Sequence, residues 1–182
     1  STSPSWRRSC CRMFMQNLAF LIPALVLASA GAADAQGVRI LGRSEPERGG
    51  GFVLQWPSSG FETKLTGKRL FALIDDYGDN WLNVEIDGVV SKLDLKEGVH
   101  NYTLFDGEAG EHTIRITRRT GAPSGPTRIL DVQAEGGAIQ PTAMPDRRIL
   151  VIGDSITSGY GVEGVDQSCG YTHATQNADS AY

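Results

Sequence analysis

The chain has 182 residues, 17 basic and 21 acidic side chains and a formal net charge of −4. Its 22 glycines and 8 prolines stand in an otherwise ordinary globular composition, which suits short strands joined by many turns. An acidic protein has no electrostatic reason to follow a phosphate backbone or an anionic lipid surface, so nucleic acid and membrane are excluded as partners, and neutral polysaccharides or small esters are favoured.

Residues 1–36 read as a secretory signal. Arg7, Arg8 and Arg12 form a positive start, Leu18 to Ala30 is apolar apart from Pro23, and Ala33-Asp34-Ala35 is a small-x-small cleavage site, with cleavage after Ala30 as the alternative. The apolar run is too short to span a bilayer comfortably. The expected destination is outside the cytoplasm, secreted or periplasmic. Cleavage would remove three arginines and one aspartate, leaving 14 basic and 20 acidic residues, a net of −6. Cys169 would then be the remaining cysteine, and any partner for it would lie beyond this stretch.

Residues 37–135 alternate in short runs punctuated by turn signals, the pattern of a β-sandwich. Val38-Arg39-Ile40-Leu41 is the first strand, and Phe52 to Trp56 follows a triple glycine. Phe61, Thr63 and Leu65 alternate, Gly67-Lys68 reads as a turn, and Leu70, Ala72 and Ile74 continue on one face. Trp81 to Ile86 and Val89 to Leu95 flank Asp87-Gly88, a preferred hairpin pair. Glu97-Gly98 turns again, Tyr102 and Leu104 precede another expected turn at Asp106-Gly107, then Glu111 to Thr117 and Thr127 to Val132 complete about eight strands, suited to a jelly roll. Trp56 reads as core. Trp81, opposite the Leu82/Val84/Ile86 face, is the candidate glycan contact. His112 at a strand entry reads as structural, and His100, His112 and His173 lack the spacing of a metal site.

Residues 136–147, with Pro141 and Pro145, read as a stiff linker. The stretch Arg147 to Gly161, RRILVIGDSITSGYG, carries the chemistry. Ile149 to Ile152 reads as a buried parallel strand, Gly153 ends it, and Asp154 and Ser155 follow where an open α/β sheet places reactive groups. Ser155 can supply a nucleophilic hydroxyl and, at a helix start, an oxyanion-binding N–H. Gly159, Gly161 and Gly164 match G-x-G-x-x-G but do not directly follow the strand, so a dinucleotide fingerprint is not inferred.

GDSITSGYG resembles block I of the SGNH (GDSL-like) hydrolases in the version found in carbohydrate esterase family 2. N-W-x-N-V-x-x-D-G, Asn80 to Gly88, and A-G-E-H-T-I, Ala109 to Ile114, resemble the N-terminal sandwich of that same family. The resemblance implies two domains: an all-β jelly-roll sandwich, then over residues 148–182 the first strand of a three-layer α/β/α SGNH hydrolase domain, truncated here. It implies Ser155 as nucleophile and oxyanion donor, Gly153 and Asp154 as supporting motif, no metal and no organic cofactor. It puts the general-base histidine and the oxyanion glycine and asparagine in later blocks, outside these residues, so the stretch alone is expected to be catalytically silent. His173 is not assigned that role. The implied activity is serine-dependent removal of acetyl groups from plant cell-wall polysaccharide, as in acetylxylan esterases. A non-catalytic carbohydrate-binding protein and a general secreted GDSL esterase or lipase are the alternatives.

Overall fold

The computed structural model describes residues 37–147, 152–154, 157 and 159–168. Nine strands build one curled antiparallel sheet: β1 (Arg39–Leu41), β2 (Ser44–Pro46), β3 (Phe52–Leu54), β4 (Gly60–Asp76), β5 (Trp81–Ile86), β6 (Val89–Asp94), β7 (Gly98–Arg118), β8 (Thr127–Glu135) and β9 (Ala138–Pro141). The order is β2-β3-β8-β4-β7-β5-β6, with β1 and β9 also paired to β4. β4 is the spine. Its first half carries β1 and β9, its second half carries β8, and β7 runs along its full length.

Two expected turns are bends in continuous strands. Gly67-Lys68 and Asp106-Gly107 do not reverse the chain: Gly67 pairs with Gly110 and Arg69 with Asp106, with a register shift between them. The inward residues of β4 change parity there, from Phe61, Thr63 and Leu65 to Leu70, Ala72 and Ile74. A bulge changes parity in this way because side chains alternate with a period of two, and it also bends the strand. Arg69 bridges the outside of the bend, 2.9 Å from Asp106 and 3.4 Å from Glu135. The curl lets one sheet enclose a core of Phe52, Leu54, Phe61, Leu70, Ile114 and Ile129, with Phe52 and Phe61 edge to face at 5.8 Å.

A polar cluster closes one end of the core around Arg118, which is fully buried. Its guanidinium donates to the carbonyls of Leu54 (2.7 Å), Thr120 (2.8 Å) and Gly121 (3.0 Å) and to Asn80 Oδ1 (2.6 Å). Asn80 Nδ2 donates in turn to Asp76 Oδ1 at 3.0 Å, so one amide relays between a buried cation and a buried anion. Thr127 Oγ1 also donates to Asp76, at 2.7 Å, yet burial pushes the Asp76 carboxyl above its usual range. This cluster fixes the entry to β5, whose first residue, Trp81, directly follows Asn80.

The two sequence strings that carried the family resemblance face each other. Asp87 and Gly88 adopt positive φ, 50° and 86°, and join Ile86 to Val89 as a two-residue hairpin. Asp87 Oδ1 accepts from the Thr113 N–H at 2.8 Å, and Asp87 Oδ2 lies 2.7 Å from His112 Nδ1. The hydrogen bond to Asp87 raises the His112 pKa above 6.5, and the same bond lowers that of Asp87. A raised histidine pKa contributes stability that is complete below the unfolded value and is lost as pH rises through the folded one. By NMR titration His112 should therefore show a midpoint above 6.5, and Asp87→Asn should bring it back down; an unshifted midpoint would refute the pairing in solution.

The structure corrects the expected second domain. Among the described residues there is no α-helix, and past the sheet those residues are irregular or in turns, so the SGNH/GDSL-like α/β/α part of the fold and of the family assignment does not stand. Ile152, read as the end of a buried parallel strand, is 88% exposed and outside any strand. A parallel strand is stable only with neighbours on its edges and cover on both faces, and Ile152 has neither a ladder partner nor cover. Thr157 and Gly159–Glu163 form turns where a helix was expected after Ser155. The stretch read as linker contains β9, whose Ala138–Pro141 pairs with Thr66–Thr63 of β4.

Candidate functional site

Gly153 and Asp154 are exposed, irregular backbone, while Ser155 lies outside the described residues. A Cβ on Gly153 would sit 1.9 Å from Thr157 Oγ1, so glycine is the residue that fits there. Gly159 and Gly161 then adopt φ of 74° and 80°. Two successive turns come next, with the Val162 N–H donating to the Gly159 carbonyl at 3.2 Å and the Gly164 N–H to the Gly161 carbonyl at 2.9 Å. The glycine spacing that resembled a nucleotide fingerprint thus serves local backbone geometry.

The second turn presents Glu163 to the outer face of the β5–β6 hairpin. Glu163 accepts from Lys92 Nζ at 2.8 Å and from Arg119 at 2.5 Å. Arg119 follows β7, is buried, and also donates to Asn83 Oδ1 at 2.7 Å. Its own N–H donates to the Trp81 carbonyl at 2.8 Å. Lys92 and Arg119 lower the Glu163 pKa against the opposing effect of partial burial, so the carboxylate is charged at neutral pH. Trp81 is half-buried and shares the outward face of β5 with Asn83, one pleat repeat away. The serine motif's downstream segment and Trp81 are therefore brought to the same face of the sheet.

Other aromatic expectations fared differently. Trp56, read as core, is 51% exposed because it lies past the end of β3, in the connection to β4. Tyr77 is equally exposed and lies beneath the Arg128 guanidinium, 5.8 Å from its ring centre. His112, on β7, is held by Asp87 in the turn of the β5–β6 hairpin. Among the described residues no group of three or more His, Cys, Asp or Glu side chains could hold a metal ion. Arg119 and Glu163 were missed by sequence reading: nothing local marks a pair 44 residues apart.

The curled sheet, the Asn80–Gly88 hairpin and the Ala109–Ile114 strand have their counterpart in one family: residues 40–144 match the carbohydrate esterase 2 N-terminal family. The chain belongs to that family. Among solved structures, this family 2 N-terminal domain is similar to a family two carbohydrate esterase from Cellvibrio japonicus, with a TM-score of 0.72, 25% identity, and coverage of 80% of this chain and 44% of that one. It is also similar to a family two carbohydrate esterase from Clostridium thermocellum in complex with cellohexaose, with a TM-score of 0.70, 27% identity, and coverage of 78% and 44%. Among curated proteins it is 28% identical over 158 residues to an acetylxylan esterase / glucomannan deacetylase of Cellvibrio japonicus, covering 83% of this chain and 43% of that protein. It is 28% identical over 152 residues to the cellulase/esterase CelE of Acetivibrio thermocellus, covering 82% of this chain and 19% of that protein. The chain thus spans less than half the length of these relatives.

Proposed function

We propose that this chain belongs to a carbohydrate-ester hydrolase, secreted or periplasmic, that removes acetyl groups from plant cell-wall polysaccharide with Ser155 as nucleophile. One observation carries the reading: GDSITSGYG stands directly behind a family 2 N-terminal sandwich, in a chain related to acetylxylan and glucomannan deacetylases. In this reading the Ser155 hydroxyl attacks the acetyl carbonyl, its proton passes to a general base, and the tetrahedral oxyanion is held partly by the Ser155 N–H. One such donor is worth roughly 3 kcal/mol in the transition state. The sugar leaves as its alcohol, and water then releases acetate from the acyl-enzyme. Gly153 and Asp154 are the supporting motif beside the serine in this reading.

Trp81 is the glycan contact in this reading. Its place beside Asn83, on the face that receives Glu163, supports a role next to the segment that follows the serine motif. The partner is acetylated polysaccharide or oligosaccharide, and neither metal nor organic cofactor is called for by the chemistry. Acetate release should be measured from acetylated xylan and acetylated glucomannan, beside hydrolysis of aryl acetate and aryl palmitate, using the active protein that contains this chain. Acetyl esters should turn over and the palmitate should not. Trp81→Ala should raise KM about tenfold on polymer and leave KM on aryl acetate unchanged. Preference for the long acyl chain would refute the deacetylase reading in favour of a general esterase or lipase.

A further inference from the structure

Arg119 is a buried cation on the sandwich, and among the described residues the carboxylate that pairs with it is that of Glu163. Asn83 can orient a guanidinium but cannot neutralise it. A buried charge without a counter-ion is strongly disfavoured, so the sandwich face is completed by the segment that comes after the serine motif. Lys92, across the β5–β6 ladder from Asn83, adds a second cation to the same carboxylate. The glycine turns at Gly159 and Gly161 aim Glu163 at this pair.

We infer that the outer face of the β5–β6 hairpin is the seat on which the sandwich holds the segment after Gly153-Asp154-Ser155, and that Glu163 is a positioning residue for the reacting serine. The seat stands on the described contacts; the positioning role rests on the proposal that Ser155 is the nucleophile. The sandwich is then part of the machinery that sets the nucleophile's geometry, and Arg119, Lys92 and Asn83 act on catalysis only through Glu163. Positioning of a reacting group to within a fraction of an ångström commonly decides one or two orders of magnitude in rate.

The test uses Glu163→Gln, Glu163→Asp and Ser155→Ala in the active protein that contains this chain. Two measurements are made on each: limited proteolysis within residues 157–168, and kcat and KM on aryl acetate. With the seat as inferred, Glu163→Gln speeds cleavage at least tenfold while circular dichroism of the sandwich is unchanged, and Glu163→Asp restores most of the protection. With the positioning role as inferred, Glu163→Gln lowers kcat at least tenfold with KM within twofold. Unchanged proteolysis in Glu163→Gln overturns the seat. Faster proteolysis with wild-type kcat overturns the positioning role. Full activity in Ser155→Ala would overturn the serine reading and the positioning role with it, while the proteolysis arm still decides the seat by itself.

Discussion

Ser155→Ala is expected to remove at least about three orders of magnitude from kcat on an acetyl ester, in the active protein that contains this chain. An alanine methyl cannot form the acyl-enzyme, so the residual rate would come from oxyanion binding and substrate positioning alone. The circular dichroism of the sheet should not change, because every strand from Arg39 to Pro141 precedes the substitution and pairs within itself. Pre-steady-state kinetics on a chromogenic acetate in excess would check this, with a burst of aryl alcohol in the wild type and none in the variant. Wild-type turnover by Ser155→Ala would move the nucleophile elsewhere.

Arg118→Ala should be the most damaging substitution in the sandwich. The side chain is fully buried, and its removal takes the guanidinium donors away from the Leu54, Thr120 and Gly121 carbonyls and leaves Asn80 Oδ1 with the Thr120 hydroxyl alone. It also takes a positive charge out of a cluster that keeps the Asp76 carboxylate, leaving that anion less well compensated. Breaking such a buried network by deleting one partner costs about 3–5 kcal/mol. A domain of this size is stable by only about 5–15 kcal/mol. The expected drop in Tm is therefore about 15–30 °C, measured by thermal denaturation. Arg118→Lys should not rescue it, because one ammonium cannot reach the several acceptors that the planar guanidinium spans. A Tm within about 5 °C of wild type would show that water or rearrangement satisfies these groups.

Much of the sandwich could be read from residue order. Asp87-Gly88 named its hairpin because both residues tolerate positive φ, and they adopt it. Leu82 and Val84 named an inward face, and both are buried. Gly67-Lys68 and Asp106-Gly107 misled for a physical reason: the residues that permit a reversal also permit a bulge. What decides between them is the partner strand, and here the two glycine-bearing bends lie opposite each other in one ladder. Ile152 misled differently, since the apolar β-branched run it ends states a tendency to be buried but not what would bury it, and Ile149 to Val151 lie outside the described residues. Exposed Ile152 shows that the tendency is not met there. Arg118 was illegible, because an arginine in an alternating run usually reaches solvent, and only the fold brings the Asn80 amide and the Leu54, Thr120 and Gly121 carbonyls around this one. Glu163 and Arg119 likewise meet only through the fold.

The central place of β4 also governs how the domain can assemble. β4 is made early in the chain, yet its ladders wait for β7, β8 and β9, the last of which ends at Pro141. Each closure spans tens of residues, so the entropy of bringing distant segments together is spent before the sheet rewards it, and refolding should fall in the slow, millisecond-to-second range of high-contact-order β proteins. During synthesis Leu65 and Ile74 would remain exposed on an open strand until those partners emerge. A chain stopped at Glu135 would leave Thr63–Thr66 without β9, a bare edge suited to pairing with another copy. A stop beyond Pro141 would keep that edge covered, which makes the short β9 the element on which solubility during biogenesis turns.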